Sequence, residues 1–472
     1  MQVGGAMRLV ALMLVAVVLA GCAAESDEEM PNEPQNGAID PIRDPTSPAF
    51  KPHVVVAVID TGNNPYHEQY REQYDDAHPS AYIPDYPEVV DLELTLNVTD
   101  LPGDNRPMVD QAIWDSTAPG VLYRIPGTKI IGHYSVGADL PGSGHGTMTA
   151  SRATANDISV AGNATRLVVV QGFTIDAVRW AADQPWIDII SISSGISLGG
   201  LAPAAANVEN QAGIDAFQYA AHKKPFFASS GNGVGNAGVL GFPAWTRGPS
   251  GAPDVISVGA NENGDMAVWH NFHPYIVGDG CDNPSAQDGS VTAVADTGGG
   301  TSSATPFSAG AGASLLLEAR RLLGDAHVGI RYAEGPIASW NTWDSLSPSD
   351  ATIILAAGDP QLHNITSGPL ADGIFTQQEF KDVLYHTAIP AGTDDPSDGA
   401  APCVGIAQGV ADGDMVPTPV LIQYNGYGEV NHLSIETAHA VLAGETALPT
   451  YADMDEWYPR YHTARMTTCV DC

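Results

Sequence analysis

Basic residues are what this chain has least of. Against 55 Asp and Glu it carries 19 Lys and Arg, five of them lysine, so 472 residues hold a formal charge of −36. Phosphate contacts need basic patches, and nucleic acid is thereby excluded as a partner. Cysteine is scarce as well, at five residues, and no internal repeat stands out. Past the first twenty or so residues no apolar run could span a membrane. No stretch has the spacing of an EF-hand calcium loop. What remains is glycine, at fifty residues, and a 44% hydrophobic share. That composition buries a core easily and suits one large α/β domain with many tight strand-to-helix turns. The strong acidity suits high salt, where screening removes self-repulsion.

The start of the chain has its own pattern. Met7-Arg8, the apolar run Leu9 to Leu19, and then Leu19-Ala20-Gly21-Cys22 resemble a prokaryotic lipoprotein signal. The charged opening, the short apolar region and the small residues before a cysteine carry that likeness. Lipidation of Cys22 would anchor the mature chain to the outer face of a membrane; an ordinary cleaved secretory signal is the alternative. Residues 23–50 are acidic, proline-rich and without apolar periodicity. They cannot offset the entropy of ordering and read as a tether.

Chemistry concentrates in four motifs. Val54-Val55-Val56-Ala57-Val58-Ile59-Asp60-Thr61-Gly62 reads as a buried parallel strand delivering a carboxylate at its carboxyl end, where open α/β sheets place their ligands. In Gly142-Ser143-Gly144-His145-Gly146-Thr147-Met148, small residues let the imidazole approach neighbouring backbone, and the following Thr, Ala and Ser suit a closely packed helix. Phe226-Phe227-Ala228-Ser229-Ser230-Gly231-Asn232 is an apolar strand ending in Gly-Asn. Gly300-Thr301-Ser302-Ser303-Ala304-Thr305-Pro306, before a small-residue helix, sets a serine where backbone N–H groups and a helix dipole stabilise developing negative charge.

Together these motifs, in the order Asp60, His145, Ser302, resemble the subtilisin-like serine proteases, the peptidase S8 family. The resemblance implies a three-layer α/β fold with a mostly parallel central sheet flanked by helices. It also implies a catalytic triad of Asp60, His145 and Ser302, with Asn232 as the oxyanion donor. Asp188-Ile189-Ile190-Ser191-Ile192-Ser193-Ser194-Gly195 is similar to the family's strand that pairs with extended substrate. The implied substrate-binding residues are Ser193, Ser194, Gly195, Ser229, Ser230, Gly231 and Gly241. Phe242-Pro243 matches a segment where members often carry a cis proline. Substrates would be extracellular proteins or peptides, cleaved by a monomeric, exported endopeptidase through an acyl-enzyme. A lining of small uncharged residues points to a bulky uncharged P1 side chain.

The likeness runs from 51 to 445, with 446–472 as a C-terminal extension. A strand over Asp254 to Ala260, a helix at Glu379 to Tyr385 and a last helix at about Ser434 to Ala443 are expected within it. Two inserts dilute it, near 66–130 and near 331–375. The first widens the interval between Asp60 and His145 and could border the cleft or decorate the surface; the second holds Trp340 and Trp343. Met148 stands where a second histidine is common, and no room is left after the tether for a folding prodomain. The chemistry requires no cofactor or metal. Structural calcium is a family-level expectation, with Asp75, Asp76, Asp279, Asp282, Asp394 and Asp395 as clustered oxygen donors. The cysteines besides Cys22 are Cys281, Cys403, Cys469 and Cys472. Their even number suggests two disulfides, with three connectivities open. The alternative function is a catalytically silent surface binding module that keeps the fold.

Overall fold

Seven consecutive residues, Val54–Asp60, form strand β1, and all seven are buried. Side chains alternate across a strand. Val54, Val56 and Val58 therefore join one hydrophobic cluster while Val55, Ala57 and Ile59 join another. A strand apolar on both faces requires a covering layer on each. The computed structural model describes residues 53–72, 78–83, 85–99, 101–137, 144–194, 211–232, 244, 255–262, 265–266, 274–280, 283–323, 365, 367–371, 375–389 and 427–449. All of them lie within one unit, Pro41–Cys472.

The other strands are β2 (Val90–Asp91), β3 (Leu122–Arg124), β4 (Ile130–Ser135), β5 (Thr165–Gln171), β6 (Ile189–Ile192), β7 (Phe226–Ser229), β8 (Ile256–Glu262), β9 (Asp265–Met266), β10 (Ile276–Asp279), β11 (Asn283–Ala286), β12 (Val294–Gly298) and β13 (Glu429–Val430). The helices are α1 (Gln111–Trp114), α2 (Gly144–Thr154), α3 (Ile175–Asp183), α4 (Gln211–Lys223), α5 (Thr301–Leu323), α6 (Gln377–His386) and α7 (His432–Leu442). The main sheet runs β13-β10-β8-β7-β6-β1-β5-β4-β3-β2, with β9 paired to β8. Its pairings are parallel apart from β3 with β4 and β8 with β9. One face packs on α2, α5, α6 and α7, the other on α3 and α4. The result is the three-layer α/β architecture with a mostly parallel sheet.

Topology places the chemistry. Strand β1 lies between β5 and β6, and the chain builds one side of the sheet before crossing over to build the other. Such a switch point opens a crevice at the carboxyl ends of the strands. Asp60 closes β1 there.

Helix α5 runs through the molecule with its first twenty residues buried or nearly so. Small residues make that possible. A Cβ on Gly312 would come within 2.9 Å of both Phe227 and Phe380, and one on Gly310 within 3.1 Å of the Ala153 carbonyl oxygen on α2. At the far end of α5, Arg320 meets Asp188 in a buried pair at 2.5 Å and 3.0 Å, and Asp188 also accepts the Val55 backbone N–H at 2.9 Å. This pair ties the serine helix to the start of β1.

The insert near 66–130 is part of the same core. Tyr66, Tyr70, Leu92, Trp114, Tyr123 and Ile125 cluster with Val54 and Val56, and β2 and β3 lengthen the sheet at one edge. Inside it the Trp114 indole donates to Tyr66 Oη, which donates to Asp110, each at 2.9 Å. At its end Lys129 is buried, its ammonium donating to the carbonyls of Thr154 and Gly162 and to Asn156 Oδ1. The loop after α2 is thereby fastened to the insert.

Two late helices start earlier than their apolar patterns suggest. Asn431 caps α7 with Ser434 in a reciprocal box, which moves the start to His432, and Thr376 with Glu379 caps α6 the same way. The signal with Cys22, the tether, Gly195, Gly241, Phe242-Pro243, Trp340 and Trp343, the other four cysteines, the C-terminal extension beyond 449, and Asp75, Asp76, Asp282, Asp394 and Asp395 lie outside the described residues.

Candidate active site

Two backbones must nearly touch for this site to form. A Cβ on Gly146 would sit 1.7 Å from the Gly62 carbonyl oxygen, so only glycine lets α2 approach the Asp-Thr-Gly turn. The contact is sealed by the Gly146 N–H donating to Thr61 Oγ1 at 3.1 Å. His145, one residue earlier, is thereby brought over Asp60.

The carboxylate of Asp60 is buried, with 1% of its side chain exposed, and His145 covers it while remaining 40% exposed itself. His145 Nδ1 lies 2.8 Å from Oδ1 and 3.0 Å from Oδ2. The Thr61 N–H donates to Oδ1 at 2.7 Å, and Thr149 Oγ1 donates to Oδ2 at 3.0 Å. Thr149 stands one helical turn after His145, on the same face. A threonine at that spacing was the available signal for this partner, and sequence reasoning passed over it. With Nδ1 facing a carboxylate, the proton belongs on Nδ1 and the lone pair on Nε2. Burial pulls the imidazole pKa down, but the hydrogen bond and the charge of Asp60 together outweigh it, and the net shift is upward.

Ser302 is the second residue of α5, at its positive end. Gly300 precedes it with φ of 80°, a conformation glycine adopts freely. Space demands glycine too, since a Cβ there would meet Asn232 Nδ2 at 2.7 Å. Asn232 Oδ1 accepts the Thr301 N–H at 3.0 Å and Thr301 Oγ1 at 2.8 Å. The amide of Asn232 is thus held beside the serine turn with its carbonyl end committed, leaving Nδ2 as the donating end.

The serine hydroxyl itself donates to the Ser193 carbonyl at 3.2 Å. Sequence reasoning directed that proton to His145; here it rests on the strand expected to line the substrate cleft. Catalytic hydrogen bonds are often unaligned without substrate. Ser193, Ser229 and Ser230 are buried at the carboxyl ends of β6 and β7, while Ser194 and Gly231 are partly open. The Gly231 N–H donates to Thr301 Oγ1 at 3.3 Å, so the ends of β6, β7 and α5 meet at one place. On the helix side, Arg152 of α2 lies over the Phe307 ring of α5 at 5.0 Å, bracing the histidine and serine helices together. Among the described residues no group of three or more His, Cys, Asp and Glu is placed to hold a metal ion.

A three-layer α/β sheet with an Asp-His pair at its switch point and a serine at a helix start is consistent with a hydrolase of the serine-protease type. The profile of the subtilase family, peptidase S8, matches residues 51–328, more than half of the chain. The chain belongs to that family and is a serine protease. No curated protein matches it. Among solved structures, that of the prenylagaramide maturation protease PagA is similar at 17% identity and a TM-score of 0.34, covering 65% of this chain and 92% of that one.

Proposed function

We propose that this protein is an exported endopeptidase working through Asp60, His145 and Ser302. The observation that carries the reading is the buried Asp60 carboxylate bonded to His145 Nδ1, within a carboxyl-end crevice that also receives Ser302 and Asn232. Ser302 Oγ attacks the scissile carbonyl while His145 Nε2 takes its proton, and the same proton then goes to the leaving amine. Asp60 holds the imidazole in the correct tautomer and favours its charged form. Asn232 Nδ2 and the Ser302 N–H receive the oxyanion, a role whose loss costs roughly 10²–10³ in turnover in subtilisin. Water, activated by the same His145, then releases the acyl group from Ser302.

The substrate lies extended along Ser193 to Gly195, held by main-chain hydrogen bonds. Ser229, Ser230, Gly231 and Gly241 complete a small, uncharged pocket. The lipobox reading places the enzyme at the cell surface, tethered through Cys22 by residues 23–50, with extracellular proteins or peptides as substrates and the protein acting as a monomer. Among the described residues no helix is long and apolar enough to cross a membrane.

Labelling with a fluorophosphonate probe tests the chemistry. Wild type is expected to label, and Ser302→Ala and His145→Ala to lose labelling. A folded wild type that stays unlabelled, with or without calcium and across salt concentrations, would instead point to the silent binding module.

A further inference from the structure

Most of the tip of the first insert faces solvent; Asn105 does not. Pro102, Gly103 and Asp104 before it and Met108 and Val109 after it are exposed, yet Asn105 is fully buried. Its backbone is in the left-handed region, with φ of 55°, where asparagine is among the few side chains tolerated. That conformation aims the carboxamide at the turn between β11 and β12. Nδ2 donates to Asp288 Oδ1, and Oδ1 accepts the Gly289 N–H at 3.0 Å. One side chain thus grips two consecutive residues of the turn.

Asp288 is where the segments of the active site converge. Its Oδ1 also accepts from Thr147 Oγ1, at 3.4 Å, and Thr147 Oγ1 in turn accepts the Asn64 N–H at 2.9 Å. Thr147 is two residues from His145, and Asn64 is four from Asp60. The Asp288 Cβ packs 3.3 Å from where a Cβ of Gly144 would stand, beside His145. Beyond the turn, β12 runs directly into Gly299, Gly300 and Ser302. One carboxylate therefore links the strand that carries the acid, the helix that carries the base and the hairpin that leads to the nucleophile.

We propose that Asn105 is a positioning residue supplied by the insert: by fixing Asp288, it holds the His145 helix and the Ser302 hairpin in register. The proposal rests on the catalytic roles given to those residues above. It also decides what the insert does. The insert braces the catalytic constellation through Asn105 and Asp288 instead of decorating the surface.

The test uses the full chain and four variants: Asn105→Ala, Asn105→Asp, Asp288→Asn and the swap Asn105→Asp with Asp288→Asn. Asn105→Asp sets two carboxylates against each other. The swap exchanges donor and acceptor and can remake the bonds to residue 288, Gly289 and Thr147. Expected are a fall of roughly 10–100-fold in kcat and in the fluorophosphonate labelling rate for Asn105→Asp, since displacement of about 1 Å is enough for that. KM should stay within about twofold, and the swap should recover most of the rate. A merely structural bond would lower thermal stability while each folded molecule kept its labelling rate. Unchanged rates in Asn105→Asp, or a swap that folds but recovers nothing, would overturn the proposal. Should Asn105→Asp not fold, Asn105→Ala is read by the same kcat and KM split. A wild type that does not label would sink the protease reading itself, a different result from wild type and variants labelling alike.

Discussion

At the scale of single residues, the imidazole of His145 is governed by one neighbour. Burial disfavours its charged form, and Asp60, by hydrogen bond and charge, more than compensates. Because Nε2 must be unprotonated to act as a base, activity should rise with pH through a midpoint above the ordinary histidine value. Asp60→Asn removes the charge and leaves burial in control. The acid limb of kcat/KM is therefore expected to move to lower pH, while the rate falls by about 10⁴, as when a triad aspartate is replaced elsewhere. A pH–rate profile of both proteins checks this, and an acid limb that does not move would mean another group controls it. The Asp60 motif was legible as an apolar run ending in Asp-Thr-Gly, the His145 motif by the small residues that let its helix pack closely, and the Ser302 motif by the glycines before a helix start. A Cβ on Gly146 would stand 1.7 Å from the Gly62 carbonyl oxygen, and one on Gly300 2.7 Å from Asn232 Nδ2. Thr149 offered only its spacing, one helical turn after His145, and Asn105 was not legible as a partner, because a lone asparagine has no local signature for the distant carboxylate it meets.

At the scale of elements, the serine helix depends on a contact eighteen residues beyond Ser302. Arg320 and Asp188 are 3% and 4% exposed, and the carboxylate holds the start of β1 as well. Asp188→Ala would strand a guanidinium in the interior. The expected loss is about 3–5 kcal/mol, read from denaturant unfolding, with a loss under about 1 kcal/mol indicating that water reaches Arg320. Elements of this kind divide by how they announce themselves. Strands β1 and β7 are largely apolar and buried on both faces, β8 is buried from Ile256 to Asn261 although it carries Ser257, Gly259 and Asn261, and their patterns sufficed to place them to within two residues. Strands β2, β9 and β13 are two residues each. Pairing with longer neighbours creates them, and no run so short carries a period. The insert stayed ambiguous for a related reason: Tyr66, Tyr70, Leu92 and Trp114 follow no repeat, and much of what they pack against, Val54 and Val56 included, lies outside the insert.

At the scale of the whole molecule, the fold must close around a charge of −36. The described ion pairs of arginine and lysine with carboxylates involve few of the acidic side chains. Most of the negative charge must therefore be balanced by solvent and its ions. Repulsion of that kind is long-ranged, and salt shortens its reach from about 30 Å at 0.01 M to about 3 Å at 1 M. The buried pairs, Arg320 with Asp188 and Arg166 with Glu72 at 3.1 Å, are shielded from the same ions and lose little. The unfolding temperature should accordingly rise steadily with sodium chloride from low to molar concentration, without the fall expected where surface ion pairs dominate. Labelling of Ser302 should survive at the high end, because the Asp60 carboxylate under His145 is itself buried. A melting temperature indifferent to salt would show that the acidic residues are spaced widely enough for water alone to separate them, and acidity would then be a matter of solubility, with stability set by the two cores on either side of β1.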